Sequence, residues 1–134
     1  MQEDIKLGIP DMDAIHEGFT VLLSRIQKCE PETFMPLYEE LIAHTRDHFA
    51  FEESLMAQYR FYDSHEHLEE HTKLLDEMVY FYEKSKKFPV FGRSYINDYA
   101  YDKFKRHVVN IDSQLAMFLK EQQISRETVH DALQ

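Results

Sequence analysis

Histidines and carboxylates recur in this chain at helical spacing. His48 and Glu52 stand four apart in HFAFEESLM, and His67 and His71 stand four apart in HLEEH. His107 and Asp112 stand five apart in HVVNID, and His16 stands alone in DAIHEGF. Four steps of about 100° bring a side chain nearly back to the same face, so each four-spaced pair points one way. Five steps leave about 140°, so His107 and Asp112 serve one target only across a wide centre or on a helix that bulges. Singly, each has a bland reading: a His–Glu pair is an ordinary solvated ion pair, and a lone histidine an ordinary side chain. Five histidines and two carboxylates on apolar stripes are different. Buried unpaired imidazoles and carboxylates are costly, and mutual pairing or a metal recovers that cost. Seven ligands exceed the needs of one ion and suit two ions that share the carboxylates. Imidazole with carboxylate suits iron. The single cysteine, Cys29, leaves no thiolate site and no internal disulfide, which fits a reducing cytoplasm.

Four elements must carry these residues. The 3 glycines and 4 prolines punctuate the chain: Gly8 and Pro10 precede the first periodic segment, Pro31 and Pro36 flank a break, and Pro89 and Gly92 mark another. Between the breaks the period is helical. The first segment runs over about 12–29, with Ile15, Phe19, Leu22, Leu23 and Ile26 as its stripe. The second runs over about 36–60, with Leu37, Leu41, His44, His48, Phe51, Glu52, Leu55 and Tyr59 near one face. The third starts at an Asp63–Glu66 capping signal and runs to about 87; the fourth covers about 93–120. Ser125 opens a tail that adds one or two helical turns. The expected fold class is all-α: an up-down-up-down four-helix bundle with a short C-terminal helical tail, one domain over 1–134.

Composition and motif tests remove several function classes. With 25 acids against 15 bases the formal charge is −10, which argues against a nucleic-acid partner. No apolar run approaches the roughly 20 residues of a membrane span, and MQEDIKLGIP lacks the features of a signal peptide, so a cytoplasmic location without membrane contact is expected. A ferritin-like site needs Glu-x-x-His on two helices, and only Glu127 to His130 has that spacing. H-E-x-x-H fails because His65-Glu66 is followed by Glu69 where histidine is required.

The order His, H-x-x-x-E, H-x-x-x-H, H-x-x-x-x-D, one element per helix, resembles the hemerythrin family in its single-domain bacterial form, bacteriohemerythrin. The resemblance runs from about Gly8 to about Leu119, with GIPDMDAIH at the start of the first helix. It implies a metal site of His16, His48, Glu52, His67, His71, His107 and Asp112 holding two iron ions per chain, bridged by oxo or hydroxo. His67, His71 and His107 would bind one iron, His16 and His48 the other, and Glu52 and Asp112 would bridge. It implies reversible O2 binding as hydroperoxide at the iron with the open position, for carriage, storage or delivery, without enzymatic turnover and with no catalytic residue. The alternatives are an O2 or nitric oxide sensing or stress protein, and a di-iron peroxidase or oxidase. Two positions depart from the family's usual Trp and Leu: Lys103, expected to loosen that end of the bundle or face solvent, and Phe104, expected to narrow the O2 pocket. His44 is read as structural, His65 and His130 as surface, and Tyr59, Tyr62 and Tyr80 as tyrosines that could reach the site.

Overall fold

The computed structural model describes residues 6–122. Among them there are helices and no strands. α1 spans Pro10–Lys28, α2 spans Pro31–Tyr59 and α3 spans Ser64–Ser85. The fourth helix follows one uninterrupted helical path over 89–122. Connections of a few residues make successive helices antiparallel, which gives the expected four-helix bundle. The expected tail helix and His130 lie outside the described residues.

Local chemistry sets the helix ends. Pro10 and Pro31 begin α1 and α2, where a missing N–H is no loss. The Asp13 carboxylate accepts the N–H groups of Leu7 (2.7 Å) and Gly8 (3.0 Å), folding the leading segment back onto α1. α2 stops at Arg60, whose positive φ of 54° turns the chain, and Phe61 N–H closes on the Met56 carbonyl at 2.9 Å. The Arg93 guanidinium donates to the Ile26 and Cys29 carbonyls, satisfying the end of α1 from the fourth helix.

Three sequence expectations are corrected here. Pro36 does not border a break but lies inside α2, which starts five residues earlier than its periodicity indicated. Only one backbone hydrogen bond is forfeited so near the helix start, and buried Phe34 and Tyr38 hold that turn in place. The buried face of α2 is also rotated: Tyr38, Ile42, Thr45, Phe49 and Met56 are buried with Leu41, His48 and Glu52, while Leu37, Phe51, Leu55 and Tyr59 sit at its margins. Asp63 does precede α3, but its side chain makes no cap hydrogen bond.

The core has two apolar clusters. The larger gathers Phe19, Leu23, Ile26, Tyr38, Leu41, Ile96, Phe104 and Val108, among others. The smaller gathers Met12, Met56, Phe61, Leu115 and Ala116. Residues of the His/carboxylate layer fall between them along the helices: His16 lies between Met12 and Phe19, and Asp112 between Val108 and Leu115. The fourth helix contains two π turns, Tyr95–Tyr99 and Val108–Asp112, each closed by an i to i+5 bond, from Ala100 N–H to the Tyr95 carbonyl and from Ser113 N–H to the Val108 carbonyl.

Candidate metal centre

Each element brings its residues to one place. α1 supplies His16, α2 supplies His48 and Glu52, α3 supplies His67 and His71, and the fourth helix supplies His107 and Asp112. All seven are buried, His107 being the most exposed at 4%. The π turn resolves the five-residue spacing: widening the helix between His107 and Asp112 brings the two back to one face.

The two carboxylates divide their oxygens between two sets of histidines. Glu52 Oε2 lies 2.6 Å from His48 Nε2 and 3.7 Å from His16 Nε2, and Asp112 Oδ2 lies 2.9 Å from His16 Nε2 and 4.0 Å from His48 Nε2. Glu52 Oε1 lies 2.9 Å from both His67 Nε2 and His71 Nε2. Asp112 Oδ1 lies 3.0 Å from His67 Nε2 and 3.0 Å from His107 Nε2. Two compact donor groups result, one of Glu52, His67, His71, His107 and Asp112, the other of His16, His48, Glu52 and Asp112. The His107–Asp112 approach has no hydrogen-bond geometry: both atoms are buried without a hydrogen-bond partner. Two atoms at that separation with no proton shared are arranged as two ligands of a third body would be. The donor set of imidazole and carboxylate fits a buried metal.

Electrostatics agree with a site that gathers cations. Burial opposes the carboxylate charge of Glu52, yet hydrogen bonds from His16, His48, His67 and His71 hold its pKa well below the usual range. Burial and the Glu52 charge oppose ionisation of Asp112, and His107 and His16 overcome both, so its pKa is lowered too. Burial alone would lower His16 and His67; hydrogen bonds with Asp112 and Glu52 outweigh it and raise each to about 9.

The surroundings differ on the two sides. Phe49 stacks on His71 at 3.8 Å and 5°, and His71 Nδ1–H donates to Glu53 at 3.0 Å. Glu53 escaped the sequence reading, although it directly follows Glu52; its signal was a carboxylate one residue round from a candidate ligand. On the other side Phe104 meets His16 edge-on at 5.7 Å and stacks on Phe19 at 3.9 Å. A cavity of about 10 Å³ lies there, lined by Phe19, Thr45, His48, Phe49, Leu74, Met78, Tyr95, Ala100 and Phe104. Phe104 is one of the residues that line this cavity. Lys103 is half-exposed, and its Nζ pairs with Glu77 of α3 at 2.9 Å. His44 is structural, bonding the Ile15 carbonyl at 3.1 Å, and His65 is exposed beside Glu69. Tyr62 and Tyr80 are exposed and do not reach the site, whereas Tyr95 does line the cavity.

A helical bundle with a buried His/carboxylate cluster shared by two donor groups is the architecture of a bundle metalloprotein. The chain is similar to Bacteriohemerythrin of Aquifex aeolicus (strain VF5), 33% identical over 86 residues, which cover 61% of this chain and 66% of that protein. This similarity supports a hemerythrin-family assignment. The matched stretch thus spans just under two thirds of the relative's length. No family model matches the chain, and no solved structure matches it. No helix among the described residues is long and apolar enough to cross a membrane.

Proposed function

We propose that this chain, a single domain, holds two iron ions and binds O2 reversibly, for carriage, storage or delivery rather than enzymatic turnover, in the cytoplasm. The observation that supports this best is the division of Glu52 and Asp112, each of which offers one oxygen to His16 and His48 and the other to the His67, His71 and His107 set. Three histidines would hold one ion and two the other, with both carboxylates spanning the pair. When bound, an iron pair supplies the two electrons that reversible O2 binding requires.

The chain's own residues do the rest. His48 of the two-histidine set lines the cavity, so the position with fewer protein donors is the one beside open space. Phe19, Phe49, Leu74, Met78 and Phe104 keep that space apolar and dry, which withholds protons from whatever is bound. The Thr45 hydroxyl donates to the Leu41 carbonyl at 2.8 Å and so offers the cavity no free proton. Glu53 orients His71 through its second nitrogen.

The test is metal analysis of anaerobically reconstituted protein followed by a spectrum on exposure to air. Two iron ions per chain and a stable, reversible oxygenated spectrum are expected. One metal per chain, zinc under iron-replete conditions, or rapid decay to an oxidised form would defeat the carrier reading.

A further inference from the structure

Two cavities share one wall. The outer is an open groove of about 360 Å³ between α3 and the fourth helix, with Glu70, Lys73, Glu77, Lys103, Arg106 and His107 in its lining. The inner is the apolar cavity beside His48. Leu74 is the one residue that lines both. It is half-buried, and it belongs to neither apolar cluster, although Leu75 next to it packs on the larger one. Leu74 is thus a side chain set between solvent and cavity rather than in the core. One turn further along α3, Glu77 pairs with Lys103 across the groove.

We propose that Leu74 is the gate through which a small neutral gas molecule passes from the outer groove to the inner cavity, with the Lys103–Glu77 pair as a strap that limits its opening. This rests on the O2-binding reading for its ligand. The physical basis is threefold. A leucine on a cavity wall changes rotamer far faster than a helix moves, so passage needs no bundle opening. The inner cavity has room for about one water-sized body, which admits a diatomic and rejects larger ligands. Its lining is mostly apolar and the Thr45 hydroxyl is committed, so an anion that leaves the charged groove must shed most of its water without full replacement. The gate therefore selects for neutral over charged ligands.

Kinetics in two forms of the protein test this. In iron-loaded protein, stopped-flow mixing with O2 should show association and dissociation both faster in Leu74→Ala, by about tenfold, with equilibrium affinity within about twofold, because a gate alters rates and not the bound state. Leu74→Phe should slow both, and Lys103→Met should speed both by about twofold. In metal-free protein carrying Phe104→Trp, the sole tryptophan reports from the cavity wall. Quenching of its phosphorescence by O2 should rise with Leu74→Ala and fall with Leu74→Phe, while quenching by iodide stays low in all three. Unchanged O2 quenching across these variants overturns the gate even if the iron-loaded protein binds O2. If the iron-loaded protein takes up no O2 while quenching follows Leu74, the carrier reading falls and the gate stands.

Discussion

The two sides of the metal centre draw on the same two carboxylates and end in opposite environments. Around His67, His71 and His107 the protein closes in: Phe49 lies flat on His71, Glu53 holds its outer nitrogen, and Phe61 meets His67 edge-on. Around His16 and His48 there is one histidine fewer and an apolar cavity in its place. The same two kinds of ligand are therefore given a crowded side and a vacant side by the count of histidines and by the residues behind them. What separates the two sides of the proposed centre is the number of histidines and the material behind them, since imidazole and carboxylate are common to both.

Removing the element common to both sides should have the largest effect. Glu52→Ala takes a donor from both groups, so iron content after reconstitution should fall close to zero, whereas His71→Ala should spare the His16 side in part. In metal-free Glu52→Ala, buried His16 and His67 lose a partner, at about 3–5 kcal/mol of stability by denaturant unfolding. Full iron occupancy in Glu52→Ala would show that the two sides do not share it.

Metal removal should come next. Binding to the folded state alone should raise the melting temperature of the loaded protein by roughly 10 °C when free metal stands about 100-fold above Kd; equal melting temperatures would contradict a shared buried centre. One raised histidine lies on each side, so loading should displace protons from both. With His16 and His67 at about 9 in the metal-free fold, both carry a proton at pH 7.5, and loading should release about two, read by an indicator dye in weak buffer. The metal-free protein should also show their signature. Their stabilisation is complete below the unfolded pKa of 6.5 and is lost as pH rises through about 9, while that of Glu52 and Asp112, both depressed, is lost as pH falls below the unfolded carboxylate range.

Smaller changes should separate the sides. Glu53→Gln keeps an acceptor for His71 but removes the charge, and should weaken metal binding on the crowded side by about tenfold, measured by competition with a chelator. Phe104→Leu acts on the vacant side only. It enlarges the cavity beside His48 at about 1 kcal/mol of stability or slightly more, and should speed O2 association and change autoxidation severalfold with iron content intact. Unchanged rates would place Phe104 outside the ligand path.

The four helices were legible because their apolar period is strong and Pro10, Pro31 and Pro89 stand at the starts of the first, second and fourth. The seven polar residues were legible because histidine and carboxylate are so out of place on a buried stripe. What escaped depends on contacts between helices. The rotated face of α2 is set by what Tyr38 and Thr45 meet across the bundle, which spacing within α2 cannot reveal. Glu53 and Lys103 looked like surface charges until α3 supplied His71 and Glu77. Pro36 misled because a proline near a helix start forfeits so little. The His107–Asp112 spacing left a bulge or a wide centre as its two explanations, but the second π turn, Tyr95–Tyr99, had no comparable polar marker.

The Val108–Asp112 turn also fixes how the chain can change in length. It carries one residue beyond α-helical pitch, and exposed Asn110 lies within it. Deleting Asn110 would leave a regular α-helix with His107 and Asp112 four apart, a spacing that in isolation looks like an improvement. Because the wider turn already absorbs that residue, everything after it would keep its facing, with Leu115 and Ala116 still directed toward Met12 and Met56. The fourth helix is in this sense buffered within the turn and unforgiving beyond it: loss of the absorbed residue spares both ligand facing and distal packing, whereas a deletion between Asp112 and Leu115 would turn Leu115 and Ala116 by about 100° away from Met12 and Met56.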